Sequence, residues 1–426
     1  MSDTSSDSLS ANGPSGFNRR DLGLVDALVA DLVASPTPYH AVERARSLLT
    51  DVGSTPIDLV AEFPTDPGCY VAAEGGTLLA WIQQRPGDQP HPGFTIVGAH
   101  TDSPNFRVRP HADVINAGLA QIGLETYGGL LVNSWLNRDL GLAGRIMLKG
   151  QARTGEILVN IDQAIMTIPQ LAIHLDRDIN DKGLDLNKQT HVNPMWTMAA
   201  DSDNPPSFVE FLGGRAGVAA ADILSWDLMP YDLQAPGRLG RDSEFIASGR
   251  IDNLLSSFCA TRAMARLIEN GVDNLHSIPV MVLYDHEEIG SESATGAASN
   301  LLLSVLERIA CAQGFDRKGF LTMMARSMAV SADGAHATHP NYVDKHEPNH
   351  QITLNAGVVI KRNANQRYAT DALSEAFMVE VCRRANVPVQ HYIHRNDLPC
   401  GSTIGPITAA RLGISTVDIG APMLSM

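Results

Sequence analysis

The sequence predicts an α/β protein with a mixed or parallel sheet and a mainly β insertion, and three observations carry this prediction. Short apolar segments rich in β-branched residues, such as 280–284, alternate with amphipathic segments of helical period, such as 301–313. Several apolar segments end abruptly in ionisable side chains, as parallel strands do where a sheet carries a site. Between about 106 and 238, short alternating segments separated by Gly, Asn and Pro are typical of an antiparallel meander or barrel.

These patterns divide the chain into domains. Residues 1–17 are polar and are predicted to be a disordered tail. We expect 18–105 and 239–426 to form one domain, because α/β elements precede the β-rich stretch and resume after it. Residues 106–238 then form an inserted domain of the kind that often builds an oligomer interface.

The first part of the chain opens with a helical pattern over 19–51 that breaks at 35–38, which reads SPTP. The elements predicted next are, in order, a β-hairpin of 69–71 and 77–82, a turn over 85–92, and a buried strand over 94–98. Within the insertion, the segments predicted to be strands are 122–127, 130–134, 142–148 and 157–161. A short helix is predicted over 169–177, because proline is favoured in a first helical turn, and 178–206 is polar and irregular.

After the insertion, helices and strands alternate. The predicted helices are 254–268, 301–313 and 371–386, the first two ending before glycines. The predicted strands are 280–284, 327–331, 353–360, 387–391 and 414–419. A glycine-rich loop is predicted over 398–406, which reads LPCGSTIGP.

Composition excludes several classes of function. The chain carries 47 acidic and 32 basic residues, a formal net charge of −15, which argues against nucleic acid or an anionic membrane surface as a partner. No apolar run is long enough to span a bilayer, and the N-terminus lacks the apolar core of a secretory signal. The five cysteines are scattered without a CxxC pair, which favours a reducing, cytoplasmic setting over a disulfide framework or a thiolate zinc site.

Two predicted strands end in groups that can bind a metal. The strand over 94–98 is followed by His100 and Asp102, and a carboxylate two residues away can orient the imidazole of a ligand histidine. The strand over 280–284 is followed by DHEE at 285–288, where adjacent glutamates can divide metal binding and proton transfer between them. A polar turn and a solvated acidic turn are the respective alternatives.

Two further carboxylates occupy comparable positions. Asp333 follows the strand over 327–331. Asp252 precedes the amphipathic helix over 254–268, at the place where an N-cap residue belongs. A carboxylate at a helix entrance can cap the helix or bridge two cations, and both alternatives are open for Asp252.

The carboxyl ends of parallel strands share one edge of a sheet, so these side chains can converge despite long separations in sequence. Carboxylates with one imidazole and no thiolate suit zinc, cobalt or manganese. A pair of ions about 3.5–4 Å apart needs a bridging carboxylate, and it activates a water and polarises a carbonyl. A nearby glutamate can then move a proton to the leaving amine. The constellation therefore predicts metal-assisted hydrolysis of an amide bond.

Seven longer blocks then occur in order along the chain: VGAHTDSPNFRV, SGRIDN, YDHEEIGSES, SADGAHATHPNY, GVVIKRNANQRYATD, CGSTIGP and DIGAPMLSM. Together they resemble the aspartyl aminopeptidase family of dinuclear zinc exopeptidases, over nearly the whole chain from about residue 18. The resemblance implies a zinc-exopeptidase catalytic domain with an inserted dimerisation domain. It also implies an aminopeptidase that removes N-terminal aspartate or glutamate from peptides.

The resemblance implies a role for each residue of the candidate site. The metal ligands that it implies are His100, Asp252, Glu288 and Asp333, with Asp252 bridging two ions and Glu288 serving the second of them. Glu287 would be the general base, and Asp102 would orient His100.

The resemblance also implies a substrate pocket and an assembly. The residues that match pocket positions are His336, His339, Lys361 and Tyr368. The loop of Gly401, Ser402 and Thr403 would supply hydrogen-bond donors to the substrate backbone. Lys361 would pair with the acidic side chain of the substrate, although a lysine at a strand end is otherwise a solvated one. His174 would reach the active site of a neighbouring subunit, whereas taken alone it is a packing or interface histidine. Members of the family assemble as a tetrahedral dodecamer, so self-association from dimers is expected.

In the family, a histidine after PMLSM completes the second metal site, whereas this sequence ends at Met426. We expect that the recorded sequence is cut short at that point. A chain that truly lacked this ligand would bind its second ion weakly. The alternatives to an acid-specific aminopeptidase are therefore a broader dinuclear aminopeptidase or amidohydrolase, and a catalytically weakened assembly protein.

Overall fold

The computed structural model describes residues 19–84, 92–150, 155–199, 205–271 and 275–426. The predicted tail over 1–17 and most of the predicted turn over 85–92 lie outside the described residues.

The helices are α1 Arg19–Ala34, α2 Pro38–Asp51, α3 Ile179–Lys182, α4 Phe208–Ala216, α5 Ile251–Glu269, α6 Leu301–Ala312, α7 Arg317–Ala325, α8 Ala372–Arg384 and α9 Ile404–Leu412. The strands up to the end of the β-rich stretch are β1 Thr55–Pro56, β2 Gly68–Glu74, β3 Thr77–Gln83, β4 Gly93–His100, β5 Asn105–Asn116, β6 Leu119–Tyr127, β7 Leu140–Leu148, β8 Glu156–Met166, β9 Met195–Met198 and β10 Ile223–Asp232. The later strands are β11 Gly237–Leu239, β12 Phe245–Ala247, β13 Ser277–Tyr284, β14 Met328–His336, β15 Val358–Arg362, β16 Val389–Ile393 and β17 Ser415–Met423.

A nine-stranded mixed sheet forms the centre of the fold. Its strand order is β1-β2-β3-β13-β4-β14-β17-β15-β16. The middle strands β13, β4, β14 and β17 run parallel to one another, whereas β2–β3–β13 and β15–β17 pair antiparallel. The predicted hairpin and the predicted mixed or parallel sheet are confirmed.

Strand β13 shows why a central strand carries a continuous apolar run. Val280 and Val282 point into a core formed with α6 and α7, whereas Met281 and Leu283 point into a second core formed with α2 and α5. Successive side chains of a strand alternate between the two faces of its sheet. Because helices cover both faces, residues 280–283 are all hydrophobic.

The β-rich stretch forms two three-stranded antiparallel sheets, with orders β10-β7-β8 and β5-β6-β9. Phe106, Ile122, Leu142 and Phe208 are buried in the core that these sheets share with α4. The fold class is therefore confirmed as mixed α/β with a mainly β insertion. The domain boundaries at 106 and 238 remain a prediction. Among the described residues, no helix is both long and apolar enough to cross a membrane.

Two predicted elements of the insertion are wrong. Residues 130–134 are not a strand, because the amide and the hydroxyl of Ser134 both donate to the carbonyl of Leu131 and close a turn at 3.0 and 2.7 Å. Residues 169–177 form an exposed turn rather than a helix. So short a helix needs an apolar face to pack against, and the side chains of Leu171 and Ile173 are more than half exposed.

Three boundaries near the sheet edge also differ from the prediction. Strand β15 begins at Val358 rather than at 353, because Asn355 and Gly357 have φ of 60° and 103°, which break an extended run. Strand β14 continues past 331 and carries Asp333 inside it. The glycine-rich loop ends at Thr403, whose hydroxyl caps α9.

Candidate metal centre

The register of three parallel strands brings the predicted site residues together. His100 ends β4 and lies opposite Tyr284, the last residue of β13. Ser331 of β14 lies opposite Gly98 of β4, so Asp333, two residues further on, is level with His100. The sheet therefore places these groups at one edge, as the sequence predicted.

The His100 imidazole is buried, and its two nitrogens face different groups. Nδ1 lies 3.0 Å from the carbonyl oxygen of Asp102 and 3.3 Å from Oδ1 of the same residue. Nε2 lies 3.3 Å from Oδ1 of Asp333, 3.5 Å from Oδ1 of Asp252 and 3.9 Å from Oε2 of Glu287. With Nδ1 donating to Asp102, a bound cation would replace the proton on Nε2, and this is the tautomer of a metal-ligating histidine.

The donor set fits a divalent cation. One ligand atom from each of His100, Glu287 and Asp333 lies within 4.8 Å of the other two. Oδ1 of Asp252 is buried and has no hydrogen-bond partner among the described residues. An unpaired buried carboxylate oxygen is costly unless a cation accepts it. Oxygen donors with one imidazole are a ligand set that zinc accepts.

Asp252 does not cap α5, so the alternative that it is an N-cap is not supported. Arg250 occupies the N-cap position, and the backbone of Asp252 and Asn253 departs from helical dihedral angles. The carbonyl of Asp252 instead accepts a hydrogen bond from the Ser103 hydroxyl at 2.8 Å. This local kink turns the Asp252 carboxylate toward His100.

Burial and like charge shape the electrostatics of the cluster. Burial lowers the pKa of His100, but the carboxylates of Asp102, Asp252 and Asp333 outweigh it and hold that pKa well above its ordinary value. Burial, with the charge of Asp333, raises the pKa of Asp252. Burial alone would raise the pKa of Asp333, yet Lys361 and His100 together hold it below its ordinary value.

The adjacent glutamates have different surroundings. Burial, opposed in part by His100, raises the pKa of Glu287 to about 7, and burial raises the pKa of Glu288 to about 9. Both glutamates line the cavity, but Glu287 belongs to the tight donor set and Glu288 does not. Which of the two binds a cation and which moves protons therefore remains a prediction.

A cavity of about 470 Å³ opens beside the cluster, and both the sheet edge and the insertion line it. Lys361 lies in its wall and is almost completely buried. Nζ donates to the carbonyl of Gly334 at 3.0 Å, lies 3.7 Å from Oδ2 of Asp333, and sits 5.2 Å from the centre of the Tyr368 ring. The alternative of a solvated lysine is therefore excluded.

The predicted loop over 401–403 also lines the cavity, and a buried carboxylate holds it. The Thr403 hydroxyl donates to Oδ1 of Asp418 at 2.7 Å, and Oδ2 accepts from the amide of Ala369 at 2.5 Å. A Cβ at Gly405 would lie 2.3 Å from either carboxylate oxygen, so only glycine fits there. Because the Thr403 hydroxyl donates its one hydrogen bond to Asp418, this hydroxyl holds the loop in place.

The structure does not bring every predicted pocket residue to the cavity. His336 and Tyr368 line it. His339 is absent from the described lining and lies in the loop beyond β14, where its amide donates to Nε2 of His346 at 3.0 Å. His174 lies in the exposed turn over 173–175, outside the cavity of its own chain.

Sequence reasoning missed the contribution of the insertion to the site. The Tyr127 hydroxyl, at the end of β6, donates to Oδ2 of Asp102 at 2.7 Å. Arg138 and Tyr231 also line the cavity from the insertion. None of these side chains carries a local signal, because each comes to the site through contacts between segments that are distant in sequence.

Comparison with known proteins identifies the family. The sequence pattern of the family described as aminopeptidase I zinc metalloprotease (M18) matches residues 32–426. The chain belongs to the M18 family of zinc aminopeptidases. It is 44% identical over 416 residues to a Streptomyces coelicolor protein named probable M18 family aminopeptidase 2, with 97% of this chain and 94% of the relative covered. This M18 protein is accordingly a metal-dependent aminopeptidase, a hydrolase.

Solved structures agree with the fold. The structure of Ape4 in its complex with Nbr1 has a TM-score of 0.90 and 36% identity, covering 96% of this chain and 81% of that one. The mApe1 dodecamer of S. cerevisiae has a TM-score of 0.81 and 26% identity, covering 96% and 92%. The catalytic sheet and the β insertion of this aminopeptidase are therefore the arrangement of its family.

The raised pKa values predict how the metal-free aminopeptidase responds to pH. Glu287 and Glu288 titrate near 7 and 9 in the folded protein, above their ordinary value of 4.5. Between pH 5 and 9 the unfolded chain has lost protons that the folded protein still binds, so the free energy of unfolding falls as pH rises. His100, whose pKa is also raised, acts in the same direction. The slope is about 1.4 kcal/mol per pH unit for each proton of difference.

Urea unfolding of chelator-treated protein at pH 5.5, 7 and 8.5 measures this slope. Zinc should flatten it, because the cation replaces protons on the same groups. A Glu287→Gln, Glu288→Gln double variant should show a shallower slope without metal. A metal-free protein whose stability rises from pH 5.5 to pH 8.5 would contradict the prediction.

Proposed function

We propose that this M18 aminopeptidase removes N-terminal aspartate or glutamate from peptides, with two divalent ions, most readily zinc, held at the sheet edge. The observation that carries the specificity is the buried Lys361 ammonium in the cavity wall, 3.7 Å from Oδ2 of Asp333. A cation fixed next to the reacting centre suits a substrate whose first side chain is a carboxylate.

The ligands proposed for the two ions are His100, Asp252, Glu288 and Asp333. When bound, the ions supply Lewis-acid polarisation of the scissile carbonyl and lower the pKa of water. Asp252 is the proposed bridge, since its buried Oδ1 has no hydrogen-bond partner among the described residues and lies 3.5 Å from Nε2 of His100. Asp102 holds the His100 ring by accepting from Nδ1.

Glu287 is the proposed general base. Its carboxylate lies at the cavity edge of the cluster, and its pKa near 7 suits a group that takes and returns a proton near neutral pH. In this scheme Glu287 accepts a proton from the attacking water and delivers it to the departing amine. Asp102 keeps the Glu287 backbone in place by accepting a hydrogen bond from the Glu287 amide at 3.1 Å.

Lys361 is proposed to fix the substrate side chain. Nζ has three donor positions, of which the Gly334 carbonyl takes one. A substrate carboxylate could accept another. Tyr368 and the loop over 401–403 complete the same wall.

We also propose that the chain assembles as a homododecamer built from dimers. A relative of the same fold is solved as a dodecamer. The turn that carries His174 exposes Leu171, Ile173 and Leu175, with 56%, 53% and 75% of each residue's surface exposed. Apolar side chains on a turn of this kind suit burial against another subunit. His174 would then approach a neighbouring cavity.

A panel of arylamides tests the proposed specificity. With zinc, cobalt or manganese added, the purified protein should cleave aspartyl and glutamyl arylamides at least 10-fold faster than leucyl arylamide, measured as kcat/KM. Lys361→Met keeps the bulk of the side chain and removes its charge. The acidic-to-neutral ratio should fall by about 10–100-fold, because a hydrogen bond to a charged group contributes about 1.5–3 kcal/mol.

Lys318→Met, which removes an exposed lysine on α7, is the matched control and should leave the ratio unchanged. Equal rates on acidic and leucyl substrates would instead identify a broader aminopeptidase. Absence of both bound metal and activity would favour an assembly protein.

A further inference from the structure

The Asp102 carboxylate is the point at which three parts of the metal centre meet. It is completely buried. Its Oδ1 accepts from the Glu287 amide at 3.1 Å and faces Nδ1 of His100 at 3.3 Å. Its Oδ2 accepts from the Glu288 amide at 3.1 Å. One carboxylate therefore sets both the plane of the imidazole and the backbone that carries the two glutamates.

The remaining partner of Asp102 comes from the insertion. The Tyr127 hydroxyl donates to Oδ2 at 2.7 Å, and this is the shortest hydrogen bond that the carboxylate accepts from the described residues. Both side chains are buried. A hydrogen bond from a hydroxyl to an ionised carboxylate is charge-assisted, and burial strengthens it further.

The position of Tyr127 is itself fixed from two sides. It lies opposite Asn105 in the β5–β6 ladder, and the Arg107 guanidinium of β5 stacks on its ring at 4.1 Å from the centroid. The next residue, Gly128, has φ of 75°, and a Cβ there would lie 3.1 Å from Cβ of Glu288. The end of β6 thus abuts the same turn that Asp102 holds.

We propose that Tyr127 is a positioning residue of the metal centre, through which the inserted sheet fixes Asp102 and, with it, His100 and the turn over 287–288. The inference rests on the proposed function in taking His100 and Glu288 as metal ligands. Without the hydroxyl, Oδ2 keeps the Glu288 amide as its one partner among the described residues, and the carboxylate is held less firmly against His100. Loss of such an outer partner weakens a metal site by about 10–100-fold.

Tyr127→Phe removes one oxygen atom and keeps the ring under Arg107. Zinc affinity, measured by competition with a chromogenic chelator in the absence of substrate, should fall by about 10-fold or more. Tyr70→Phe is the matched control, because the buried Tyr70 donates its hydroxyl to the carbonyl of Asp66 at 2.9 Å, away from the cavity lining. It should leave zinc affinity unchanged.

A double-mutant cycle separates positioning from general destabilisation. If Tyr127 acts through Asp102, Tyr127→Phe should cost little further zinc affinity in an Asp102→Asn background. Wild-type affinity in Tyr127→Phe, the same loss in Tyr70→Phe, or full additivity in the cycle would overturn the proposal. Because zinc affinity is measured without substrate, failure to cleave acidic arylamides would overturn the proposed specificity alone.

Discussion

Glu287→Gln should lower kcat by about 10³-fold while the protein stays folded and keeps bound metal. Glutamine has nearly the same shape, but it cannot accept the proton of the attacking water at the position of Oε2. The Glu287 amide still donates to Asp102 in this variant, because the hydrogen bond belongs to the backbone. The measurements are steady-state kinetics on an aspartyl arylamide and elemental analysis of zinc per chain.

Glu292→Gln is the matched control, since Glu292 is an exposed glutamate in the turn that follows. It should retain the wild-type kcat. Glu288→Gln should lose zinc as well as activity if Glu288 is the ligand of the pair. Full activity in Glu287→Gln with metal retained would contradict the assigned base, and zinc lost from Glu287→Gln but kept in Glu288→Gln would exchange the two roles.

The sheet edge could be predicted from sequence because its signal is local. A buried strand must be apolar on both faces, so the first ionisable residue marks the place where the strand reaches the cavity. This rule located His100 and the turn over 287–288 correctly. It placed Asp333 after its strand, whereas the residue lies inside β14. The difference arises because Asp333 is paired with Lys361, which allows a carboxylate within a buried strand.

The parts of the site that could not be predicted depend on long-range contacts. Tyr127 is 25 positions from Asp102, and the insertion that carries it reads as an independent β unit. From sequence, the Thr403 hydroxyl is a candidate hydrogen-bond donor to the substrate. In the structure it donates to the Asp418 carboxylate instead. The helix predicted over 169–177 was wrong for a related reason, because its apolar residues find no partner within the described chain. Hydrophobic periodicity and composition indicate which face of a segment is buried. They do not indicate which distant segment packs against that face.

If the proposed two ions are bound, Asp252→Asn should reduce the bound zinc to at most one ion per chain. Activity should fall by more than the roughly 10–100-fold that loss of an outer partner costs. A bridging ligand must offer an anionic oxygen to each of two cations, and an amide offers one neutral oxygen. Oδ1 of Asp252 lies 3.5 Å from Nε2 of His100 and has no hydrogen-bond partner among the described residues, which leaves this carboxylate available beside the donor set.

Measurements of stability to urea distinguish a loss of zinc binding in Asp252→Asn from misfolding of the variant. Burial and Asp333 raise the pKa of Asp252, so without metal its negative charge is unfavourable in the fold. Metal-free Asp252→Asn should therefore be at least as stable to urea as metal-free wild type at pH 8, while zinc should stabilise the variant much less. Asp242→Asn, which removes an exposed carboxylate paired with Arg241 at 2.8 Å, should bind and respond to zinc as wild type does. Two zinc ions in Asp252→Asn with unchanged turnover would show that another residue bridges the metals.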